Sequence, residues 1–268
     1  MKINHIYNAD CVEILKKKIN DKSINLIYAD PPYNLSGKKL NLKGNKTGGD
    51  FKKMNEDWDI FTHDEYLRFS ENWIKLAKLK LVNGGSLYIS CTYHNIGEII
   101  GVAKKNNLEL KNIITWYKTN SMPSITKRTF THSSEYVCWF TKGKNWKFNY
   151  DSIKNINPRK TKSGESKQMR DFFDFIELPI VQGKERLKNT ESNSALHPTQ
   201  KPEKLMEIIL TASSDIGDIV LDPFFGTGTF GLVAKKLGRN YIGIEINKKY
   251  YKSSIERIKN FNEKLLFV

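Results

Sequence analysis

Short apolar runs alternate with longer amphipathic stretches along most of the chain. The runs have the length and the β-branched and aromatic content of strands, and the stretches between them repeat at the period of a helix. This alternation is typical of an α/β fold, with a mostly parallel sheet and helices on both of its faces. The predicted strands are Ile24 to Ala29, Ser86 to Cys91, Asn112 to Tyr117, Glu135 to Thr141, Asp218 to Leu221 and Asn240 to Ile244. The predicted helices span 64–80, 94–106, 202–213, 229–237 and 248–262.

Two basic segments rich in turn-forming residues interrupt this alternation within what we expect to be one domain, residues 1–268. Ser36 to Lys53 contains six lysines and one aspartate, and Lys142 to Arg170 contains nine Lys or Arg residues and two acidic ones, with three aromatic residues between them. Rings among cations suit nucleic acid, although rings packed beneath a solvated loop explain the pattern equally well. We expect both insertions to lie over the functional site.

The overall charge also favours a polyanionic partner. The chain has 44 Lys and Arg residues against 29 Asp and Glu residues, a formal charge of +15, although a lysine-rich solvated surface has the same composition. The amino-terminal residues contain no long apolar run, so we expect a cytoplasmic protein with no membrane partner. The three cysteines and five histidines are scattered, which predicts no metal site.

The first predicted strand, Ile24 to Ala29, stops abruptly at Asp30-Pro31-Pro32-Tyr33. Prolines cannot continue a central ladder because they lack the amide donor. The carboxylate of Asp30 and the rigidly held carbonyl of Pro31 therefore offer two neighbouring acceptors, and the ring of Tyr33 offers a flat face. This arrangement suits a planar substrate with an amino group. An ordinary strand end with an Asp-Pro turn explains the tetrapeptide equally well when it is considered alone.

A second strand, Asp218 to Leu221, leads into a glycine-rich turn that opens a helix. Gly226 and Gly228 let the backbone approach a ligand closely, as a nucleotide or nucleoside site at the end of a parallel strand requires. Glu245 follows the next strand, where a carboxylate can accept both hydroxyls of a ribose. The spacing predicts an adenosine site. Asp222 and Thr229, at the two ends of this turn, are further candidates to contact the same ligand.

The same glycines, with Gly231, also satisfy the Gly-x-Gly-x-x-Gly fingerprint of dinucleotide sites, and Glu245 follows at a suitable separation. A dehydrogenase must therefore be considered. However, Asp222 and Pro223 stand where a dinucleotide strand runs apolar into its first glycine, and a dehydrogenase leaves the tetrapeptide without a role. A nucleoside-bearing methyl donor accounts for both motifs.

The chain resembles the amino-DNA methyltransferases, whose hallmarks are an Asp-Pro-Pro-Tyr tetrapeptide and a Phe-x-Gly-x-Gly loop, found here at 30–33 and 224–228. The order of these motifs is that of the β class, and the resemblance covers nearly the whole chain. It implies the Rossmann-like fold of S-adenosylmethionine-dependent methyltransferases and a target-recognition region at residues 142–196. It also implies that Asp30 and the Pro31 carbonyl bind the target amine, that Tyr33 stacks on a flipped base, and that the loop encloses the donor.

Three further segments resemble parts of the same family. Asp10 and Cys11 lie in a segment that resembles the one contacting the adenine of the donor, and Asp10 is also a helix cap by composition. His197-Pro-Thr-Gln-Lys-Pro202 resembles the motif at the methionine end of the donor, which implies that Thr199 and Lys201 bind its carboxylate. The segment from Ile114 to Glu135 resembles the DNA-facing loop of enzymes that accompany GATC restriction systems, some of which accept single-stranded DNA.

The implied reaction is direct attack of adenine N6 on the donor methyl group, without a covalent enzyme intermediate. No Pro-Cys dipeptide occurs, which disfavours the nucleophilic route of C5-cytosine methylation. The alternatives are N4-cytosine methylation, methylation of an RNA base or a protein amide, and a DNA-binding module with a degenerate donor site. The expected partners are double- or single-stranded DNA, a second copy of the chain as a homodimer, and a restriction endonuclease that acts on the same site without forming a stable complex.

Overall fold

A computed structural model describes residues 1–34, 59–121, 123–124, 127–173, 180–181, 185–187 and 200–261, together with the backbone of 41–42 and 51–52. Its strands are β1 (His5–Tyr7), β2 (Ile24–Ala29), β3 (Asn41–Leu42), β4 (Phe51–Lys52), β5 (Leu81–Cys91), β6 (Glu109–Tyr117), β7 (Ser134–Thr141), β8 (Phe172–Phe173), β9 (Ile219–Asp222) and β10 (Asn240–Ile244). Its helices are α1 (Cys11–Lys17), α2 (His63–Lys80), α3 (Ile96–Lys105), α4 (Tyr150–Asn155), α5 (Glu203–Ser213), α6 (Thr229–Lys236) and α7 (Lys248–Lys259).

One large sheet organises the described residues, with the strand order β1-β10-β9-β2-β5-β7-β6-β8. The first five strands in this order, β1, β10, β9, β2 and β5, run parallel to one another. β7 is antiparallel to both β5 and β6, whereas β8 pairs in parallel with β6. The expectation of a mostly parallel α/β sheet is therefore confirmed, with one reversed strand that apolar runs alone do not reveal.

Helices cover both faces of this sheet. Successive residues of a strand point to opposite faces, and in the central strands the residues on both faces are apolar. In β2, Leu26 and Tyr28 pack with residues of α5 and α6. Ile27 and Ala29 face the other way and pack with residues of α1, α2 and α3. A strand buried on both faces is near-continuously apolar, as this one is. The predicted helices on both faces are thus confirmed.

Because β7 runs antiparallel to β5, the second basic insertion begins at the edge of the sheet opposite the tetrapeptide. Thr141 at the end of β7 pairs with Ser86, whereas the opposite end of β5, at Cys91, lies at the edge where β2 also ends. Residues 142–150 consequently leave the sheet at the edge opposite Asp30, and our expectation that the whole insertion lies over the site is wrong for this part. Its rings pack on the fold: Phe148 stacks on Trp139, with centroids 5.4 Å apart.

The later part of the predicted recognition region, residues 142–196, returns where it is described to the edge of the sheet at which β2 ends. β8 pairs with Thr115 and Trp116, near the end of β6, and the amide of Ile180 donates to the side chain of Asn120 at 2.7 Å. Phe172, Phe173 and Ile180 thus lie on the side of the sheet that carries the tetrapeptide. Residues 174–179 lie outside the described residues. Most of Ser36 to Lys53 also lies outside them. None of the described helices is long and apolar enough to cross a membrane.

Candidate active site

The carboxyl ends of four neighbouring parallel strands meet at one cavity of about 350 Å³. Asp10 follows β1, Glu245 follows β10, Asp222 ends β9 and Asp30 follows β2, and all four line the cavity. The chain turns in opposite directions from β2 and from β9, and crevices at such switch points hold ligands in open α/β sheets. The volume falls within the range of sites for small molecules and cofactors.

The tetrapeptide forms one wall of this cavity, and Asp30, Pro31, Pro32 and Tyr33 all line it. The hydroxyl of Tyr33 donates to Oδ1 of Asp30 at 2.6 Å. Tyr33 is only 7% exposed, and burial, reinforced by the charge of Asp30, raises the pKa of its hydroxyl well above the usual range. The tyrosine therefore stays protonated and fixes one oxygen of the carboxylate.

Lys201 fixes the other oxygen. Its Nζ donates to Oδ2 of Asp30 at 2.7 Å and lies 3.7 Å from Oε2 of Glu135, at the start of β7. Lys201 is buried, and although burial alone lowers its pKa, the carboxylates of Asp30 and Glu135 raise it overall. The lysine is therefore a cation held between two anions. The sequence motif placed it at the methionine end of a donor, whereas the structure brings it to the tetrapeptide.

Glu245 lies on the opposite side of the cavity and is held by two backbone amides. Gly226 donates to Oε2 at 2.7 Å, and Asn247 donates to Oε1 at 2.7 Å. Burial raises the pKa of Glu245 to about 7, and the two amides act against that shift. Each oxygen retains a lone pair, so this carboxylate can still accept two hydroxyl groups.

The glycine-rich turn runs from Asp222, which accepts the amide of Phe224 at 2.8 Å. Burial raises the pKa of Asp222 well above its usual range, and the charges of Asp30 and Glu245 add to this. Phe224 packs its ring edge-on against Trp73, at 5.2 Å between centroids. The turn is thus held against α2 on one side while its backbone borders the cavity.

The two glycines of the turn have different surroundings. Gly226 and Thr229 line the cavity, whereas Gly228 is not among the described lining residues. Gly228 starts α6 with φ of +79°, and a Cβ there would lie 2.9 Å from the Cβ of Ser254. The need for glycine at 228 therefore comes from backbone conformation and close packing against α7.

Asp10 and Cys11 lie at the end of the cavity next to Glu245. The side chain of Asp10 accepts the amide of Glu13 at 3.0 Å, so it caps α1 while it also lines the cavity. Burial raises the pKa of Cys11 to about 12, which keeps its thiol neutral. His197 and Thr199, the remaining candidates, lie outside the described residues.

Sequence reasoning missed Asp59, which is fully buried and lines the cavity. It accepts the amide of Asn34 at 2.6 Å, and Asn34 has a left-handed φ of +56° directly after the tetrapeptide. The side chain of Asn34 accepts the amide of Phe61 at 2.9 Å. These bonds lock the chain as it leaves Tyr33, and no sequence motif links positions so far apart.

Ile246 and Asn247 were also missed. Ile246 is an apolar side chain that is 64% exposed and lines the cavity, where it can pack against a flat ring. Asn247 caps α7 by accepting the amides of Lys249 and Tyr250. An asparagine before an amphipathic run is a recognisable helix start, so the cap at 247 was available in the sequence.

The charges of the cavity indicate the kind of ligand it holds. Five acidic residues line it, at positions 10, 30, 59, 222 and 245, and of the described lining residues Lys201 alone is basic. Acceptors for a diol, an apolar surface for a ring and an excess of carboxylates suit a cationic nucleoside such as a sulfonium donor. With a carboxylate at the tetrapeptide that can accept from an amine, fold and site define an enzyme that transfers a group to an amino substrate.

Comparison with known proteins identifies the family. Residues 24–256 match the N6/N4 DNA methylase family, and the chain belongs to it. It is 39% identical to the type II methyltransferase M.HinfI of Haemophilus influenzae over 96% of this chain and 68% of that protein. It is 37% identical to the type II methyltransferase M2.DpnII of Streptococcus pneumoniae, over 96% of this chain and 90% of that one.

Solved structures agree with this assignment. The M1.HpyAVI–SAM complex superposes with a TM-score of 0.65 and 29% identity, covering 96% of this chain and 99% of that chain. The cytosine-N4-specific PvuII DNA methyltransferase gives a TM-score of 0.70 at 21% identity, covering 99% of this chain and 90% of that chain, and shares the fold. The predicted S-adenosylmethionine-dependent DNA methyltransferase is thus confirmed, and the relatives do not favour the cytosine-N4 alternative.

Proposed function

We propose that this protein methylates N6 of adenine in DNA, with Asp30 and Pro31 holding the amine and the cavity between Glu245 and Asp30 holding S-adenosylmethionine. One observation carries the proposal: the tetrapeptide after β2 and the glycine-rich turn after β9 line the same cavity. The curated type II methyltransferases that the chain resembles support this reaction.

The residues present fit the donor. Oε1 and Oε2 of Glu245, already oriented by two amides, would accept the ribose hydroxyls, and Cys11 and Ile246 would border the adenine ring. The remainder would be held by Phe224, Gly226, Thr229 and Asp222. When bound, the donor supplies an electrophilic methyl group on a positively charged sulfur. The acidic lining stabilises that charge.

The tetrapeptide acts on the target amine. Asp30 and the carbonyl of Pro31 each accept one N–H, which draws the nitrogen lone pair out of conjugation with the ring. Tyr33, whose hydroxyl is tied to Asp30, presents its ring beside the base. Because the acceptors are positioned in advance, most of the catalysis comes from orientation and from electrostatic support of the ammonium that develops on N6.

The base must leave the helix to reach this cavity, at a cost of roughly a few kcal/mol for unstacking and unpairing. We assign target recognition to residues 142–196, of which β8 lies near the catalytic edge and residues 142–150 lie at the opposite edge of the sheet. We propose GATC as the recognition sequence, on the similarity of the segment from Ile114 to Glu135 to enzymes of GATC systems, and we include single-stranded DNA as a substrate.

The biological setting follows from the substrate. The relatives are type II methyltransferases, so we propose a restriction endonuclease that cuts the same site without forming a stable complex with this protein. A homodimer is part of the proposal, as is action in the cytoplasm, where the DNA of such systems lies.

Replacing Asp30 tests the assignment. We expect Asp30→Ala to abolish methyl transfer to a GATC duplex because the amine loses its main acceptor, while calorimetry shows donor affinity within about threefold of wild type. Gly226→Val should instead abolish donor binding, because Gly226 lines the cavity and its φ of +51° disfavours a branched side chain. Asp64→Ala, at an exposed carboxylate on α2, is the matched control.

The readout is transfer of a radiolabelled methyl group, followed by nucleoside analysis of the product. N6-methyladenine in a GATC oligonucleotide, absent from a shuffled duplex, supports the proposal. N4-methylcytosine would contradict the adenine assignment, and methylation of the shuffled duplex would contradict GATC alone. Full turnover by the Asp30→Ala variant would refute the role of the tetrapeptide.

A further inference from the structure

A chain of alternating charges runs away from the tetrapeptide at the catalytic edge of the sheet. Asp30 pairs with Lys201 at 2.7 Å, and Lys201 lies 3.7 Å from Oε2 of Glu135. Oε1 of Glu135 pairs with Lys118 at 3.1 Å. The four side chains come from the end of β2, the residues before α5, the start of β7 and the end of β6. This row of alternating charges connects four segments that are distant in sequence.

We infer that Lys201 is a positioning residue for the acceptor carboxylate of Asp30, held in place by Glu135, and does not bind the carboxylate of the donor. This inference rests on the proposed function of Asp30. Its first support is geometric: with Oδ1 held by Tyr33 and Oδ2 held by Lys201, the plane of the carboxylate is fixed. An ionised carboxylate offers about four lone-pair positions, so further positions stay available to a substrate N–H.

The second support is electrostatic. Asp30 shares its cavity with Asp222 and Glu245, and three carboxylates in one enclosed space repel one another. The ammonium of Lys201 offsets this repulsion at the carboxylate that must accept from the amine. A carboxyl group that took up a proton would lose acceptor capacity, and the substrate amine would lose its partner.

The third support is that Lys201 is itself held. It is only 6% exposed, and its Nζ lies 5.3 Å from the ring centroid of Tyr33. Among the described residues Oε2 of Glu135 is a buried atom with no hydrogen-bond partner, so the nearby ammonium is its main compensation. Charges on both sides of Lys201 therefore oppose its movement toward a third group.

The test compares Lys201→Met with wild type on two donors, S-adenosylmethionine and its decarboxylated analogue. We expect the methyl-transfer rate at saturating donor to fall about 100-fold, because a preoriented acceptor is lost, with the Kd for either donor changed by less than about threefold. Lys201→Arg should recover part of the rate. Lys204→Met, at a partly exposed lysine of α5, is the control.

The opposite outcome is equally clear. If Lys201 binds the donor carboxylate, Lys201→Met weakens binding of S-adenosylmethionine and leaves the decarboxylated analogue unaffected, with a normal rate at saturation. That result overturns the inference while the proposed function stands. A wild-type protein that methylates no DNA would instead refute the proposed function.

A second variant keeps the test valid if Lys201→Met does not fold. Glu135→Gln retains the lysine and the shape of its neighbour but removes the anion that holds it. We expect a rate loss of about fivefold to tenfold with unchanged donor affinity. An unchanged rate would overturn the role given to Glu135 and, with Lys201→Met unfolded, the inference as a whole.

Discussion

Glu245 has to remain an anion while it is buried beside other carboxylates. It lies at the end of β10, is 7% exposed and has a pKa raised to about 7 by burial. Two backbone amides orient it but do not cancel the effect of burial. Because the raised pKa lies close to neutrality, the ligand-free protein holds this side chain partly protonated at physiological pH.

This pKa predicts that donor binding depends on pH. The protonated form, which grows as the pH falls through about 7, loses both a hydroxyl acceptor and attraction for the sulfonium. We expect donor affinity to fall about tenfold between about pH 8 and about pH 6, because binding requires the proton to be released first. Calorimetry across this range measures the effect.

Glu245→Gln is the matched variant, because it keeps the shape and cannot ionise. We expect it to bind the donor more weakly than wild type and with a nearly flat pH dependence. If the slope persists in this variant, the titrating group is another one, and Asp222, whose pKa is also raised, becomes the first candidate.

The turn before α6 depends on a ring buried between two elements. Phe225 packs against Gly231 of α6 and Gly243 of β10, where an added Cβ would lie 2.3 Å and 2.6 Å from the ring. The amide of Phe225 also donates to the carbonyl of Ile244 at 2.9 Å. The two glycines therefore let the glycine-rich turn pack directly against α6 and β10.

This packing predicts that Gly243→Ala destabilises the protein by about 1–3 kcal/mol, because the ring has no space to move without displacing the turn. Gly101→Ala on α3 is the control, since nothing lies within 4 Å of its added Cβ. There we expect a gain of up to about 1 kcal/mol from helix propensity. Urea unfolding measures both changes, and equal stabilities for the two variants would contradict the packing argument.

Sequence patterns predicted the elements better than their relations. β2 and β10 have the predicted bounds, and the long helices begin and end within a few residues of expectation. The direction of β7 was not predictable, because an apolar run has the same pattern in either direction. β8 has two residues and exists only through its pairing with β6, so it carries no local signal.

The residues of the candidate site were also predicted better than the contacts between them. Asp30 and Glu245 follow strands, and their convergence could be predicted because parallel strands end at one edge. The contacts of Lys201 with Asp30 and of Asp59 with Asn34 join residues distant in sequence, and no periodicity encodes such pairs. A motif singled out Lys201, which lines the cavity, but only the three-dimensional arrangement shows its contact with Asp30.

At the scale of the whole molecule, the chain has a net charge of +15, whereas the described lining of its cavity has five acidic residues and one lysine. The two ligands should therefore respond differently to salt. We expect DNA affinity to fall more than about tenfold between roughly 50 and 200 mM salt, because counterions are released from several phosphates. Donor affinity should change far less, because the charges in the cavity are buried and poorly screened.

Filter binding of DNA and calorimetry of the donor, measured over the same salt series, give the two slopes. A parallel decline would show that the charges lining the cavity are as well screened as those on the surface. A flat DNA response would mean that the excess of lysine is solvated surface that does not contact phosphate.

The acidic lining of the cavity also bears on how a catalytic cycle ends. S-adenosylmethionine is positively charged at sulfur, and the thioether left after transfer is neutral there. Carboxylates that favour the first form have no such attraction for the second, although the adenosine contacts are the same for both. We therefore expect the protein to bind fresh donor more tightly than spent donor, and this difference in charge to favour the exchange of one for the other.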